Sequence, residues 1–165
     1  MKHDIIYELK PEVPGGWGPD SIVTYIKDEE TGVSRYDEIK FLHLQVEGWL
    51  GGDLLATNPC YMITARLAKA FVAARITGYE VADMKVTASE IYGELQKNEP
   101  FPPVKRLIPK GRVHSNSPLN CVSSWTLEDV CCSERGSLFV SKRCLDVIYA
   151  HNFSTCKIIP YPVLK

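Results

Sequence analysis

Apolar positions near the middle of the chain change their spacing twice, which predicts a strand, a helix and a second strand. Tyr61–Ile63 is a short apolar run typical of a buried strand, and Thr64 is a residue type that caps helix N-termini. Apolar residues then recur at the spacing of one helix face, namely at Leu67, Ala70, Phe71 and Ala74. Gly78 suits the left-handed stop of a helix, and period-two alternation resumes at Tyr79 and Val81.

The same pattern recurs 77 positions further along the chain, so that Ser141 corresponds to Thr64. Leu138–Val140 matches the first strand. The helix face and the second strand are matched by Cys144, Val147, Ile148, His151, Cys156 and Ile158. Two matched pairs are identical, Arg66/Arg143 and Ala73/Ala150. Because composition alone gives about this many identities, the sequence predicts a recurring architecture and does not demonstrate a duplication.

The remaining pattern is dominated by alternation, which favours strands. Further strands are expected at 4–10, 22–27, 39–46, 84–87, 104–108 and 121–125, and short helices at 89–96 and 126–130. In the strand at 39–46, Leu42 lies on the apolar face and His43 on the opposite face, where it is expected to be solvated. The predicted fold class is α+β, with a mostly antiparallel sheet, two or three short helices and two strand-helix-strand units.

Composition indicates one globular domain over residues 1–165. The chain is 45% hydrophobic, which suffices for a core, and its net charge of −1 gives no overall attraction to nucleic acid or to anionic lipid. The first eight residues lack the long apolar stretch of a secretory signal, and no segment has the length of a membrane span. We therefore expect a cytoplasmic protein, whose six cysteines are reduced thiols.

Candidate chemistry is sparse. The cysteines lack the close pairs that structural zinc sites use, so neither a metal nor a cofactor is predicted. Cys144 would lie in the first turn of the second helix, where a thiolate is favoured, but its apolar register favours a place in the core. A basic cluster at Lys105, Arg106, Lys110 and Arg112 lacks interleaved aromatic residues, which favours a solvated loop.

Two tryptophans lie in glycine-rich segments that are expected to be loops. Trp17 is the only large side chain in the loop at 11–19, and Trp49 opens a connection that contains Gly51 and Gly52. Each tryptophan either pins its segment to the core or presents apolar area to a partner. The pattern alone leaves both alternatives open.

The chain also resembles a bacterial family first catalogued as a domain of unknown function and later assigned to immunity proteins of polymorphic toxin systems. The resemblance covers about residues 48–158 and is a pattern of apolar and turn residues. It is carried by Gly48–Leu55, Pro59, Tyr61–Leu67, Thr77–Glu80 and Leu138–Ile148. Ala65 and Lys142 stand where the family usually has an acidic residue in the helix-start triplet.

The resemblance implies a non-catalytic cytoplasmic protein that binds and neutralises the effector domain of a cognate toxin. Such a protein needs no catalytic residue, and it needs a rigid scaffold whose loops present aromatic anchors and charges. The predicted binding residues are Trp17, Trp49, Asp53, Glu128 and Asp129. Two alternatives remain open, a small thiol-dependent enzyme that uses Cys144 and a nucleic-acid-binding adaptor that uses Lys105 to Arg112.

Overall fold

The computed structural model of the protein describes residues 4–96, 100–116 and 118–164, so the N-terminal segment is described from Asp4 onward. These residues form β-strands and three short helices, which confirms the predicted α+β class. The strands are β1 (Ile5–Lys10), β2 (Gly15–Trp17), β3 (Ile22–Lys27), β4 (Ser34–Phe41), β5 (His43–Val46), β6 (Leu54–Thr57), β7 (Cys60–Thr64), β8 (Tyr79–Ala82), β9 (Lys85–Ala88), β10 (Val104–Pro109), β11 (Gly111–Asn116), β12 (Cys121–Trp125), β13 (Val130–Ser133), β14 (Leu138–Ser141) and β15 (Lys157–Pro162). The helices are α1 (Ala65–Ala73), α2 (Glu90–Leu95) and α3 (Lys142–Tyr149).

The described strands form four sheets, and most neighbouring strands are antiparallel. A six-stranded sheet has the order β12-β11-β13-β14-β1-β15, and a four-stranded sheet has the order β6-β7-β10-β8. A three-stranded sheet has the order β2-β5-β9, and β3 pairs with β4 in a separate ribbon. The parallel pairs are β5 with β9 and β11 with β13. The predicted mostly antiparallel arrangement is therefore confirmed.

Both strand-helix-strand units form as predicted. The first is β7–α1–β8 and the second is β14–α3–β15. Thr64 caps α1 by accepting a hydrogen bond from the Leu67 amide, and Ser141 caps α3 by accepting one from the Cys144 amide. These side chains satisfy amides that the first turn of a helix leaves without an intrahelical partner.

The repeat extends beyond the units to the sheets that carry them. The order β6-β7-β10-β8 is matched by β13-β14-β1-β15, antiparallel at every step. In the first sheet Leu107 lies opposite Tyr61 and Val81, and in the second Leu9 lies opposite Leu138 and Ile158. The two sets of partners are related by the same 77-residue shift that the sequence shows. The N-terminal strand β1 thus takes the place in the second unit that β10 takes in the first.

One hydrophobic cluster joins the two units. The matched helix positions Leu67 and Cys144 are both buried in it, as are the matched pair Phe71 and Ile148. Its other buried members come from both units and their sheets: Leu9, Leu54, Ile63, Ile76, Leu107, Val130, Leu138, Val140 and Leu145. The core position predicted for Cys144 is confirmed.

Four predictions of which segments form strands, helices or loops are wrong. Residues 126–129 are not helical, because Leu127 has φ 68° and Val130 already pairs in β13. The strand at 39–46 breaks at Leu42 into β4 and β5, which pair in different sheets. Part of the loop around Trp17 forms β2, which pairs with β5. Part of the predicted basic loop forms β10 and β11.

His43 is buried and is not solvated as predicted. Only 3% of it is exposed, and its Nδ1 accepts a hydrogen bond from the Asp20 amide at 3.1 Å. Its Nε2 lies 2.8 Å from Thr87 Oγ1. The face of β5 opposite Leu44 is therefore covered at His43, by the chain around Asp20 and by Thr87 of β9, whereas Gln45 on the same face is exposed. The alternation within one strand does not reveal this cover.

Gly78 is not the residue that ends α1. The helix ends at Ala73, and Arg75 (φ 54°) takes the left-handed conformation, with the Ile76 amide donating to Phe71 O at 3.0 Å. Gly78 does have positive φ, and a Cβ there would lie 2.6 Å from Val130 O, so the glycine allows close contact with the second unit. In the described part of the chain, no helix has the length and apolar character needed to cross a membrane.

Candidate functional site

A cleft of about 790 Å³ lies between the segment that leads into β2, the turn after β5 and the end of α2. We call it the Trp49 cleft. It is lined by Glu12, Val13, Pro14, Gly15, Gly16, Glu47, Gly48, Trp49, Leu50, Leu95, Gln96 and Thr155. Its walls come from segments that are far apart in sequence. They include the turn at residues 48–52, which we call the Trp49 turn, and Gly15 and Gly16 of β2.

Three aliphatic side chains of the cleft are largely exposed. The exposed fractions are 65% for Val13, 76% for Leu50 and 73% for Leu95. Exposed apolar side chains that cluster around a concave surface are typical of a site where another molecule binds. The sequence analysis did not single out Val13 or Leu95, and Leu50 entered it only within the stretch Gly48–Leu55 that carries the family resemblance.

Trp49 pins its turn to the protein and also lines the cleft. Its ring packs against the buried cluster that contains Leu44 and meets Phe101 edge to face, with the ring centroids 5.8 Å apart. Its Nε1 donates to Gly52 O at 2.9 Å, and Trp49 O accepts a hydrogen bond from the Gln96 side chain. The indole is thus held rigidly, as the pinning alternative predicts, while Trp49 remains partly exposed at the cleft. That it contacts a partner stays a prediction.

Trp17 also packs against the buried cluster, through the pairing of β2 with β5. It does not line the cleft itself, whereas its neighbours Gly15 and Gly16 do. The pinning alternative therefore describes Trp17 well. The structure therefore does not place this predicted binding residue among the residues that line the cleft.

Glu12 organises the Trp49 turn, a role that the sequence analysis missed. Only 8% of Glu12 is exposed, and its carboxylate accepts hydrogen bonds from the amides of Leu50 and Gly52 and from Thr155 Oγ1. The Gly52 and Thr155 contacts measure 3.1 and 3.2 Å. Nothing local marks this residue, because its partners lie about 40 and 140 positions away.

Asp53 was predicted to be a surface binding residue, but the structure buries its carboxylate. Its Oδ1 accepts from Thr64 Oγ1 and Arg66 Nε, both at 2.5 Å. Its Oδ2 accepts from Arg66 Nη2 at 2.7 Å and from the Asn152 amide at 3.0 Å. Burial alone would raise the pKa of Asp53, but the hydrogen bonds from Arg66, Thr64 and Asn152 outweigh it and lower the pKa.

Asp129 has the equivalent environment in the second unit. It accepts from Ser141 Oγ at 2.6 Å, from the Thr77 amide at 2.9 Å and from Arg143. Burial again acts to raise the pKa, and the hydrogen bonds from Ser141, Thr77 and Arg143 lower it below its usual value. The identical pair Arg66/Arg143 is thereby explained, because each arginine pairs with the aspartate beside its own helix cap.

The two aspartates also link the units to each other. Asp53, beside α1, binds the amide of Asn152 after α3, whereas Asp129, beside α3, binds the amide of Thr77 after α1. Arg143 adds hydrogen bonds to Ala74 O at 2.7 Å and to Arg75 O at 2.9 Å at the end of α1. The geometry gives both aspartates a stabilising role in the scaffold.

The structure does not bring all predicted binding residues to one surface. Glu128 is partly buried, and its Oε2 lies 3.2 Å from Thr126 Oγ1. Asp129 lines a different cleft of about 560 Å³, together with Leu127 and Arg143. Only Trp49 lines the Trp49 cleft directly, and Asp53 lies next to Gly52, which Glu12 holds.

Three thiols, those of Cys131, Cys144 and Cys156, lie in environments that disfavour the thiolate. Cys144 is fully buried, and burial raises its pKa far above its usual value. Burial also raises the pKa of Cys131 to about 11 and that of Cys156 to about 11. Among the described residues, no group of three or more histidine, cysteine, aspartate or glutamate side chains is placed to hold a metal ion.

Three side chains of the basic cluster, those of Lys105, Arg106 and Lys110, contact other parts of the protein. Lys105 pairs with Asp83, Lys110 lies 3.4 Å from Glu80, and Arg106 donates to Ile39 O. These partners neutralise or orient the cations along β10 and its end. The contacts do not form a continuous cationic surface of the kind that binds nucleic acid.

Comparison with known proteins identifies no relative: no family model, no curated protein and no solved structure matches this chain.

Proposed function

We propose that this chain is a non-catalytic immunity protein that binds and neutralises the effector domain of a cognate bacterial toxin in the cytoplasm. The residue pattern that resembles immunity proteins suggests this function. The observation that carries the proposal is the Trp49 cleft, in which a rigidly held indole lies beside three exposed aliphatic side chains. Such a surface can bind a protein without any reacting group.

The scaffold behind the cleft suits this role. The Trp49 turn is held by Glu12, Gly52 and Gln96, so its binding geometry is formed before a partner arrives. A preformed surface loses less conformational entropy on association, which favours tight binding. By contrast, the buried Cys144 thiol with its raised pKa offers little support for the alternative of a thiol-dependent enzyme.

Leu50 is the best residue for a test. Its side chain is 76% exposed, so Leu50→Glu is expected to leave the fold intact while placing a charge in the centre of the surface. Alanine substitution of Trp49 or Trp17 would instead disturb the packing against the buried cluster. Leu119→Glu is the matched control, because Leu119 is 70% exposed and lies outside the cleft.

The experiment is co-purification of tagged protein with the toxin-like domain encoded beside it. The proposal predicts a stoichiometric complex with the wild type and with Leu119→Glu, and its loss with Leu50→Glu. Far-ultraviolet circular dichroism would verify that both variants fold. A complex that tolerates Leu50→Glu as well as Leu119→Glu, or the lack of any complex, would contradict the proposal.

A further inference from the structure

Among the residues that the structure describes, the lining of the Trp49 cleft carries negative charge and includes no cation. Its charged lining residues are Glu12 and Glu47, and both are acidic. The buried aspartates Asp53 and Asp129 are each paired with an arginine. The Glu12 carboxylate, in contrast, accepts hydrogen bonds from neutral donors, which are two backbone amides and one hydroxyl. Those donors fix its orientation, and among the described residues no cationic side chain pairs with it.

This charge lies beside the exposed aliphatic residues of the cleft. Concave walls of low dielectric strengthen the field of a fixed charge, so a cation in the cleft would be attracted more strongly than on an open surface. Leu50 and Val13 offer apolar contact next to that charge. A partner that satisfies both features carries a cationic side chain and an apolar side chain close together.

We propose that the Trp49 cleft binds a segment of the toxin domain in which a lysine or arginine lies beside an aliphatic or aromatic residue. This inference rests on the proposed function. The cation lies against Glu47 and the carboxylate of Glu12, while the apolar side chain contacts Leu50 and Val13. The aliphatic stem of the basic side chain adds apolar contact within the cleft. Charge complementarity of this kind chiefly sets specificity and the association rate.

Glu47 is the residue to change, because its side chain is exposed. Its backbone amide donates a hydrogen bond to Pro14 O, and a side-chain substitution leaves that donor in place. Glu47→Lys should weaken toxin binding about tenfold or more, and Glu47→Gln about threefold, because the first adds repulsion and the second only removes attraction. Glu30→Lys is the control, since it makes the same charge change on the exposed turn after β3, away from the cleft.

A second arm does not depend on the toxin. Amide chemical shifts are followed while acetyl-Leu-Lys-Leu-amide or acetyl-Leu-Glu-Leu-amide is added to the protein. The lysine peptide should shift the amides of Gly15, Gly16 and Gly48, and the glutamate peptide should leave them unchanged. Glu47→Lys should abolish the response to the lysine peptide.

The outcomes separate this inference from the proposed function. If Leu50→Glu disrupts the toxin complex while Glu47→Lys behaves like Glu30→Lys, the cleft binds the toxin and the inference about its charge is wrong. If no toxin complex forms, the proposed function fails, and the peptide arm alone decides the charge preference. Equal responses to both peptides would overturn the inference. A concentration-dependent dimer that Leu50→Glu disperses would also overturn it, by assigning the cleft to a second copy of the chain.

Discussion

Substitution of Asp129 by asparagine tests how the two units are held together. Asparagine has nearly the same shape, so the change removes the charge with little effect on packing. The carboxylate accepts hydrogen bonds from Ser141 Oγ, from the amide and hydroxyl of Thr77, and from Arg143. An asparagine side chain turns one of these acceptor atoms into a donor, which then faces other donors.

The expected loss is about 2–3 kcal/mol in the free energy of unfolding. Removing one partner of a buried ion pair costs about 3–5 kcal/mol. The loss expected here is smaller than that range, because the Arg143 side chain is 52% exposed and keeps its hydrogen bonds to Ala74 O and Arg75 O. For a protein of this size, each kcal/mol corresponds to about 2–4 °C in Tm, so the variant should melt about 5–10 °C lower.

Asp146→Asn is the matched control, and it lies on α3, the helix that carries the Arg143 partner of Asp129. Asp146 pairs with Lys142 one turn away, and both side chains are more than half exposed. Water screens such a pair, so its loss should leave the urea midpoint close to that of the wild type. The measurement is urea unfolding followed by circular dichroism. If Asp129→Asn were as mild as Asp146→Asn, the argument that buried Asp129 anchors the second unit to the first would be wrong.

Three further outcomes follow from the structure. Gly78→Ala should destabilise the protein by about 1–3 kcal/mol, because φ at this residue is 82° and the new Cβ would clash with Val130 O. Gly93→Ala in α2 has open space for the new Cβ and should stabilise the protein by about 0.5–1 kcal/mol. Equal changes in Tm for the two variants would contradict this reasoning. Acid should destabilise the fold, because the pKa values of Asp53 and Asp129 are lower in the folded protein than in the unfolded chain. The stability that these two carboxylates contribute is present above the unfolded pKa of about 3.9 and is lost as the pH falls through their folded pKa values. A urea midpoint that does not drop between about pH 6 and about pH 3 would refute this prediction. Thiol labelling of the native protein near neutral pH should be slow at Cys144, since burial raises its pKa, and a rapid single-site reaction there would revive the enzyme alternative.

The two strand-helix-strand units were predictable because each is specified by local signals. A short apolar run, a Thr or Ser cap and a helix-spaced apolar face lie within about fifteen residues in both stretches. The repeated shift also predicted the register of the second strand, where Val81 and Ile158 occupy matched positions. What local pattern could not show is that β1, from the N-terminus, completes the second unit.

The candidate site was predictable only in part, because it is built from distant segments. Trp49 stood out by its residue type, and the glycines beside it indicated a turn. Glu12 did not, because its role depends on partners far along the chain. Acidic residues are usually expected at the surface, yet Asp53 is buried and paired with Arg66. No local sequence pattern distinguishes such a buried aspartate from an exposed one.

The most direct test of the proposed function is protection of growing bacteria. Cells that express the toxin-like domain encoded beside this chain are co-transformed with the wild type, with Leu50→Glu or with Leu119→Glu, and their growth is compared at equal levels of soluble protein. The account predicts growth with the wild type and with Leu119→Glu, and arrest with Leu50→Glu. Arrest with the wild type, or full protection by Leu50→Glu, would contradict it.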